Sequence, residues 1–188
     1  MTKPLDIVAV VGSTYQPSRT RALVDALVVE LEQRLVARTR ILQIGDFARP
    51  LGQALSREEL PQEIQGHLAS IESADLLIAA APVYRGSYPG HFKHLFDLVG
   101  QESLVDKPVL LAATGGSDRH ALVLDHQLRP LFSFFQSLTL PIGVYGSNSE
   151  FDNYRVTSPA LQARVQLAAE RAVPLFDASQ RRPLLRVA

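Results

Sequence analysis

Residues 5–20 read LDIVAVVGSTYQPSRT, and this stretch decides the fold. Its first seven residues, Leu5 to Val11, are rich in β-branched side chains and end at Gly12. An apolar run of that length, bounded by a glycine, is the pattern of a strand buried on both faces. From Thr20 the period changes. Leu23, Leu27, Leu31 and Leu35 recur four apart, with Val24 and Val28 beside them, which places one apolar face on a helix over 20–35. A buried strand, a polar turn and an amphipathic helix form the first unit of a parallel α/β sheet.

The same unit repeats along the chain. Further short apolar runs predict strands over 40–44 (RILQI), 75–80 (DLLIAA), 108–113 (PVLLAA) and 140–145 (LPIGVY). Helices are predicted over 61–73, from Pro89 or Gly90 through Val99, over 121–138, and over 161–173. Phe92, Leu95, Phe96 and Val99 form the stripe of the second of these, and Leu161, Val165, Ala168 and Ala172 that of the last, which Pro174 ends. Residues 45–56 read as a loop. Five βα repeats with right-handed crossovers predict a three-layer sandwich around a five-stranded parallel sheet, order 2-1-3-4-5. This is the flavodoxin-like arrangement, with its ligand crevice at the carboxyl ends of strands 1, 3 and 4.

Composition bounds the remaining possibilities. A chain of 188 residues, 46% of them hydrophobic, suits one domain, placed at 1–180 with a short tail at 181–188. The 19 basic and 19 acidic residues cancel, which argues against a polyanion-binding surface and a nucleic-acid partner. With no cysteine, disulfides, thiolate metal sites and a cysteine nucleophile are excluded. No apolar run approaches the roughly 18 residues of a membrane span, so a cytoplasmic protein without a membrane partner is expected.

Three loops should meet at the crevice. The first offers hydroxyls at Ser13, Thr14, Ser18 and Thr20, the guanidinium of Arg19 and the free N–H groups of a helix start, with no acidic residue from Gly12 to Ala22. A phosphate monoester needs such a set, although ordinary helix capping uses the same residue types. The loop matches neither GxGxxG nor GxxxxGK[ST], which argues against a dinucleotide fold and a P-loop nucleotidase. After the third strand, APVYRGSYPG combines rigid Pro82 and close-packing Gly86 with Tyr84 and Tyr88, a surface suited to a flat ring. After the fourth, Thr114, Gly115, Gly116 and Ser117 bring bare backbone to the rim.

These motifs, GS-x4-SRT, APVYRGSYPGHFKHLFD and ATGGS, together resemble the NAD(P)H-dependent FMN reductases. The long TGGSDRHALVLDHQLRP segment is most similar to the reductase components of two-component alkanesulfonate or methanesulfonate monooxygenases. The resemblance implies FMN reduced by NADPH or NADH and passed to an FMNH2-dependent monooxygenase, by a homodimer or homotetramer. It implies that Ser13, Ser18, Arg19 and Thr20 hold the FMN phosphate. Pro82, Val83, Tyr84, Arg85 and Ser87 would line the ribityl chain and ring, and Thr114, Gly115, Gly116 and Ser117 the opposite side. No side-chain base is demanded, because the flavin itself accepts the hydride.

Two rivals share the cradle: a quinone or azo reductase with tightly held FMN, and a flavodoxin-type electron carrier. Carriers are commonly strongly acidic, whereas this chain is neutral and has 16 arginines among its 19 basic residues. His91, His94 and Asp97 have a spacing that could be imagined for a metal, but they flank an apolar stripe and lack a supporting cluster, so packing is expected of them. Pro130, inside the predicted fourth helix, has no N–H for the carbonyl of His126, and a kink or π-bulge is expected there. The resemblance implies an inserted residue at this point, and His126 is the candidate.

Overall fold

The computed structural model describes residues 3–176. A parallel sheet runs through its middle, in the order β2 (Ala37–Gln43), β1 (Leu5–Val11), β3 (Leu76–Pro82), β4 (Pro108–Gly115), β5 (Leu138–Thr139). Helices α1 (Arg19–Glu32) and α6 (Pro159–Ala172) cover one face. The other face carries α2 (Ile44–Gln53), α3 (Gln62–Ser73), α4 (Gly90–Asp97) and α5 (Arg129–Phe134).

Alternation along each inner strand explains the two layers of core. Val8 and Val10 of β1, Leu77 and Ala79 of β3, and Val109 and Leu111 of β4 pack toward α2–α5. Ile7, Ala9, Val11, Leu76, Ile78, Leu110 and Ala112 pack toward α1 and α6. Both faces are buried, so the strands read as continuous apolar runs rather than as alternating ones. Among the described residues no helix is long and apolar enough to cross a membrane.

Four departures from the sequence-based expectation have physical causes. The predicted strand at 40–44 begins earlier, at Ala37, because exposed Arg38 and Arg40 are tolerated on an edge strand. The predicted loop at 45–56 contains helix α2, whose buried Ile44, Phe47 and Leu51 keep helical spacing. Gly45, Pro50 and Gly52 mask that signal, and Phe47 breaks the helical dihedrals one turn before Pro50 (φ −131, ψ 18).

The predicted helix over 121–138 is interrupted. A π-helical turn occupies Leu124–Leu128, followed by α5, and Leu138 already belongs to β5. The turn includes His126, as the missing Pro130 N–H leads one to expect, and Pro130 itself sits in the first turn of α5, where no N–H is needed. The predicted fifth strand is divided. β5 pairs with Pro108 and Val109, and β6 (Val144–Ser147) pairs with Ala112 to Gly115, with Pro141 between them. Beyond β6 the chain forms an unexpected two-stranded hairpin, β7 (Phe151–Asp152) and β8 (Arg155–Val156). The tail placed at 181–188 lies outside the described residues.

Candidate functional site

The carboxyl ends of β1, β3 and β4 open into a cleft of about 300 Å³. The β1–α1 loop supplies one wall. Ser18 caps α1, its hydroxyl accepting from the N–H of Arg21 at 3.1 Å. Arg19 and Thr20 follow in the first turn, whose N–H groups lack intrahelical partners and whose dipole favours an anion. Ser13 turns inward. Its hydroxyl accepts from the N–H of Tyr15 and donates to the carbonyl of the same residue, which fixes the loop's path.

The opposite walls come from β3 and β4. The N–H of Val83 donates to the carbonyl of Thr114 at 2.7 Å and closes the strand ends together. Below them the hydroxyls of Thr20 and Thr114 meet at 2.7 Å in a buried pair that joins α1 to β4. A Cβ on Gly115 would collide with the hydroxyl of Tyr145, whereas one on Gly116 would meet nothing within 4 Å, so Gly116 stands open to the cleft it lines. Burial pushes the Tyr145 phenol above its ordinary pKa, and Asp118 and Glu150 add to this. It therefore stays a donor, to the carbonyl of Ser117 at 2.6 Å.

Of the residues singled out in the sequence, Ser13, Ser18, Arg19, Thr20, Pro82, Val83, Tyr84, Thr114, Gly115 and Gly116 converge on this cleft. Arg85, Ser87 and Ser117 do not line it. Arg85 (φ 53) and Gly86 (φ 88) form a tight turn in which Tyr84 and Ser87 pair, and that turn carries Tyr84 to the cleft. Ser87 donates its hydroxyl hydrogen to Gln127 in the π-turn at 3.0 Å. Ser117 braces Tyr145. Two of the candidate metal ligands have partners elsewhere: His94 Nε2 sits 3.0 and 2.9 Å from the carbonyls of Leu51 and Ala54, and Asp97 pairs with Lys93.

Four lining residues were not singled out in the sequence: Tyr15, Pro17, Asn148 and Tyr154. The first two belong to the loop already read, and Tyr15 meets Tyr84 edge-on with ring centres 6.4 Å apart. The other two arrive from beyond β6, and no local pattern announces them. Among the described residues the lining set contains no carboxylate. Hydroxyls, a guanidinium, tyrosines and bare glycine backbone around one cleft fit a phosphate joined to a flat ring.

Comparison with known proteins gives a consistent picture. Residues 5–152 match the family described as NADPH-dependent FMN reductase. The chain is 61% identical over 188 residues to the NADH-dependent FMN reductase SfnF of Pseudomonas fluorescens (strain Pf0-1), covering 100% of both. It is likewise 61% identical over 188 residues to the FMN reductase (NADPH) of Pseudomonas aeruginosa, again covering 100% of both. Among solved structures, the apo form of the NADH:FMN oxidoreductase EMOB superimposes with a TM-score of 0.79 at 26% identity, covering 89% of each chain. An oxidoreductase from Corynebacterium diphtheriae gives 0.78 at 26% identity, over 92% of this chain and 97% of that one.

Proposed function

This chain belongs to the NADPH-dependent FMN reductase family, and from that premise we propose that the cleft at the ends of β1, β3 and β4 is where it takes up FMN. The reaction is the reduction of FMN by NADH or NADPH. The observation that carries the site assignment is the convergence of three loops on one cleft lined by hydroxyls, a guanidinium and, among the described residues, no carboxylate.

In this reading the start of α1 receives the phosphate. Ser18, Arg19 and Thr20 surround it, and Ser13 orders the loop that brings them together. Pro82, Val83 and Tyr84 form the wall along the ribityl chain and ring, while Thr114, Gly115 and Gly116 bound the other side. Arg85, Ser87 and Ser117 shape these walls from behind. When bound, FMN supplies the ring that accepts hydride from the nicotinamide. The chain's residues bind and orient, and no side chain is required to move a proton.

The single domain is assigned to 1–180. Reduced flavin is passed to an FMNH2-dependent sulfonate monooxygenase, an assignment supported by the resemblance of the segment from Thr114 to Pro130. The working unit is a homodimer or homotetramer. It is supported by an apolar groove between α4 and α5, lined by Phe96, Val99, Leu131 and a Phe134 that is 63% exposed.

The test is a steady-state assay in which NADH and NADPH are crossed with FMN, FAD and riboflavin. FMN-dependent oxidation with FMN preferred is expected, and no oxidation of either nicotinamide ends the reading. Arg19→Ala is expected to weaken FMN binding by roughly tenfold or more, the scale of a lost charge-assisted hydrogen bond. An unchanged FMN Kd removes Arg19 from the phosphate site.

A further inference from the structure

The anion end of the cleft contains a guanidinium whose neighbour is an aromatic ring from a distant part of the chain. The Cζ of Arg19 lies 5.7 Å from the centre of the Tyr154 ring. Among the described residues Arg19 forms no ion pair with a carboxylate. An arginine on a flexible stem must be held if it is to meet a ligand in one orientation. A ring face within about 6 Å attracts the guanidinium, and stacking leaves its in-plane N–H donors free for ligand oxygens.

The turn that delivers this ring is unusual for its residue. Asn153 (φ 45) and Tyr154 (φ 56) form the two-residue connection between β7 and β8, and both take the left-handed conformation. Such a turn requires positive φ at both positions and favours Asn, Asp or Gly there. Asn153 conforms; a tyrosine with that backbone is disfavoured. The surroundings keep it in place. Glu150 accepts from the Ser147 N–H at 3.0 Å and from Arg164 at 2.5 Å, while its carbonyl accepts from the N–H of Thr157. The disfavoured residue is also the one whose ring reaches the cleft. Strain of this kind, over-determined by its neighbours, is a pointer to function.

We propose that Tyr154 is a positioning residue: its ring holds the Arg19 guanidinium for the flavin phosphate and thereby sets the preference for FMN over flavin lacking a phosphate. The proposal rests on the phosphate assignment made above.

The test measures FMN and riboflavin Kd by quenching of flavin fluorescence, together with Tm. The proteins are the wild type, Arg19→Ala, Tyr154→Phe, Tyr154→Asn, Tyr154→Gly and the Tyr154→Asn/Arg19→Ala double variant. Asn and Gly both accept the turn's backbone, so removal of the ring is expected to leave Tm equal or higher. FMN binding should weaken about two- to fivefold, the scale of an exposed cation–π contact, with riboflavin binding unmoved. Tyr154→Phe keeps wild-type FMN affinity, and the double variant binds FMN no more weakly than Arg19→Ala alone. Equal weakening of FMN and riboflavin in the Asn and Gly variants assigns Tyr154 a merely structural part and overturns the proposal. Unchanged FMN affinity in those variants, beside a weakened Arg19→Ala, overturns it while the phosphate assignment stands. Unchanged affinity in Arg19→Ala overturns both.

Discussion

The sheet is regular on one side and broken on the other. From β2 through β1 and β3 to β4, seven- and eight-residue strands keep one parallel register, and each inner residue faces one of two apolar layers. Past β4 the order loosens. The next strand is divided around Pro141, the helix that leads to it opens with a π-turn, and a small hairpin follows. The regular side fixes where the crevice lies. The irregular side sends Asn148 and Tyr154 around the rim to line it. Regular packing thus makes the scaffold, and departures from it carry side chains to places a simple βα repeat does not reach.

The contrast predicts a steep difference in tolerance. On the regular side Phe92 is fully buried, packed at a tilt between Tyr88 and Phe96 and close behind Gly12. Phe92→Ala is expected to cost about 3–5 kcal/mol in urea unfolding, the transfer and cavity loss of a core aromatic. A loss below about 1 kcal/mol would show that this layer collapses around a void more easily than tight packing permits.

The hairpin adds polar contacts to the packing of Phe151 and Val156. Burial pushes the Glu150 carboxyl up, but the Ser147 N–H, Arg164 and Ser158 outweigh it and hold the pKa below the usual carboxylate range. A depressed folded-state pKa stabilises the fold above the unfolded value of about 4.3, and that contribution is lost as pH falls through the folded one. Glu150→Gln should therefore cost about 1–3 kcal/mol at neutral pH and flatten the acid limb of the stability profile. Parallel acid limbs in variant and wild type would remove Glu150 from that role.

The smallest effect belongs to the π-turn junction. Because Pro130 stands in the first turn of α5, Pro130→Ala should change stability by less than about 1 kcal/mol. A larger loss would mean that the ring itself, rather than its position, maintains the break.

The same contrast accounts for what the sequence discloses. The inner strands are legible because burial on both faces demands unbroken runs such as LLIAAAP. Ten of the site residues are legible because each lies at the end of one of those strands or in the turn and first helical residues that follow it, where the topology places the crevice. Helix α2 is hidden by two glycines and a proline, although Ile44, Phe47 and Leu51 keep its apolar spacing. Strands of two residues leave no periodicity at all, so the hairpin and Tyr154 emerge only once the chain is folded. The π-turn is an instructive middle case. Pro130 signals that the helix must be disturbed, but not that the chain leaves it early enough for Leu138 to join the sheet.

The hydrogen bond from Ser87 to Gln127 gives that turn a wider consequence. Each residue added to or removed from a helix swings its neighbours by about 100° around the axis. A one-residue deletion upstream in the π-turn would carry the glutamine amide away from the serine that anchors the Tyr84 turn. The helical phase of a remote segment is in this way the key that fits the mouth of the crevice, and an insertion or deletion there reaches the entrance without altering any residue that lines it.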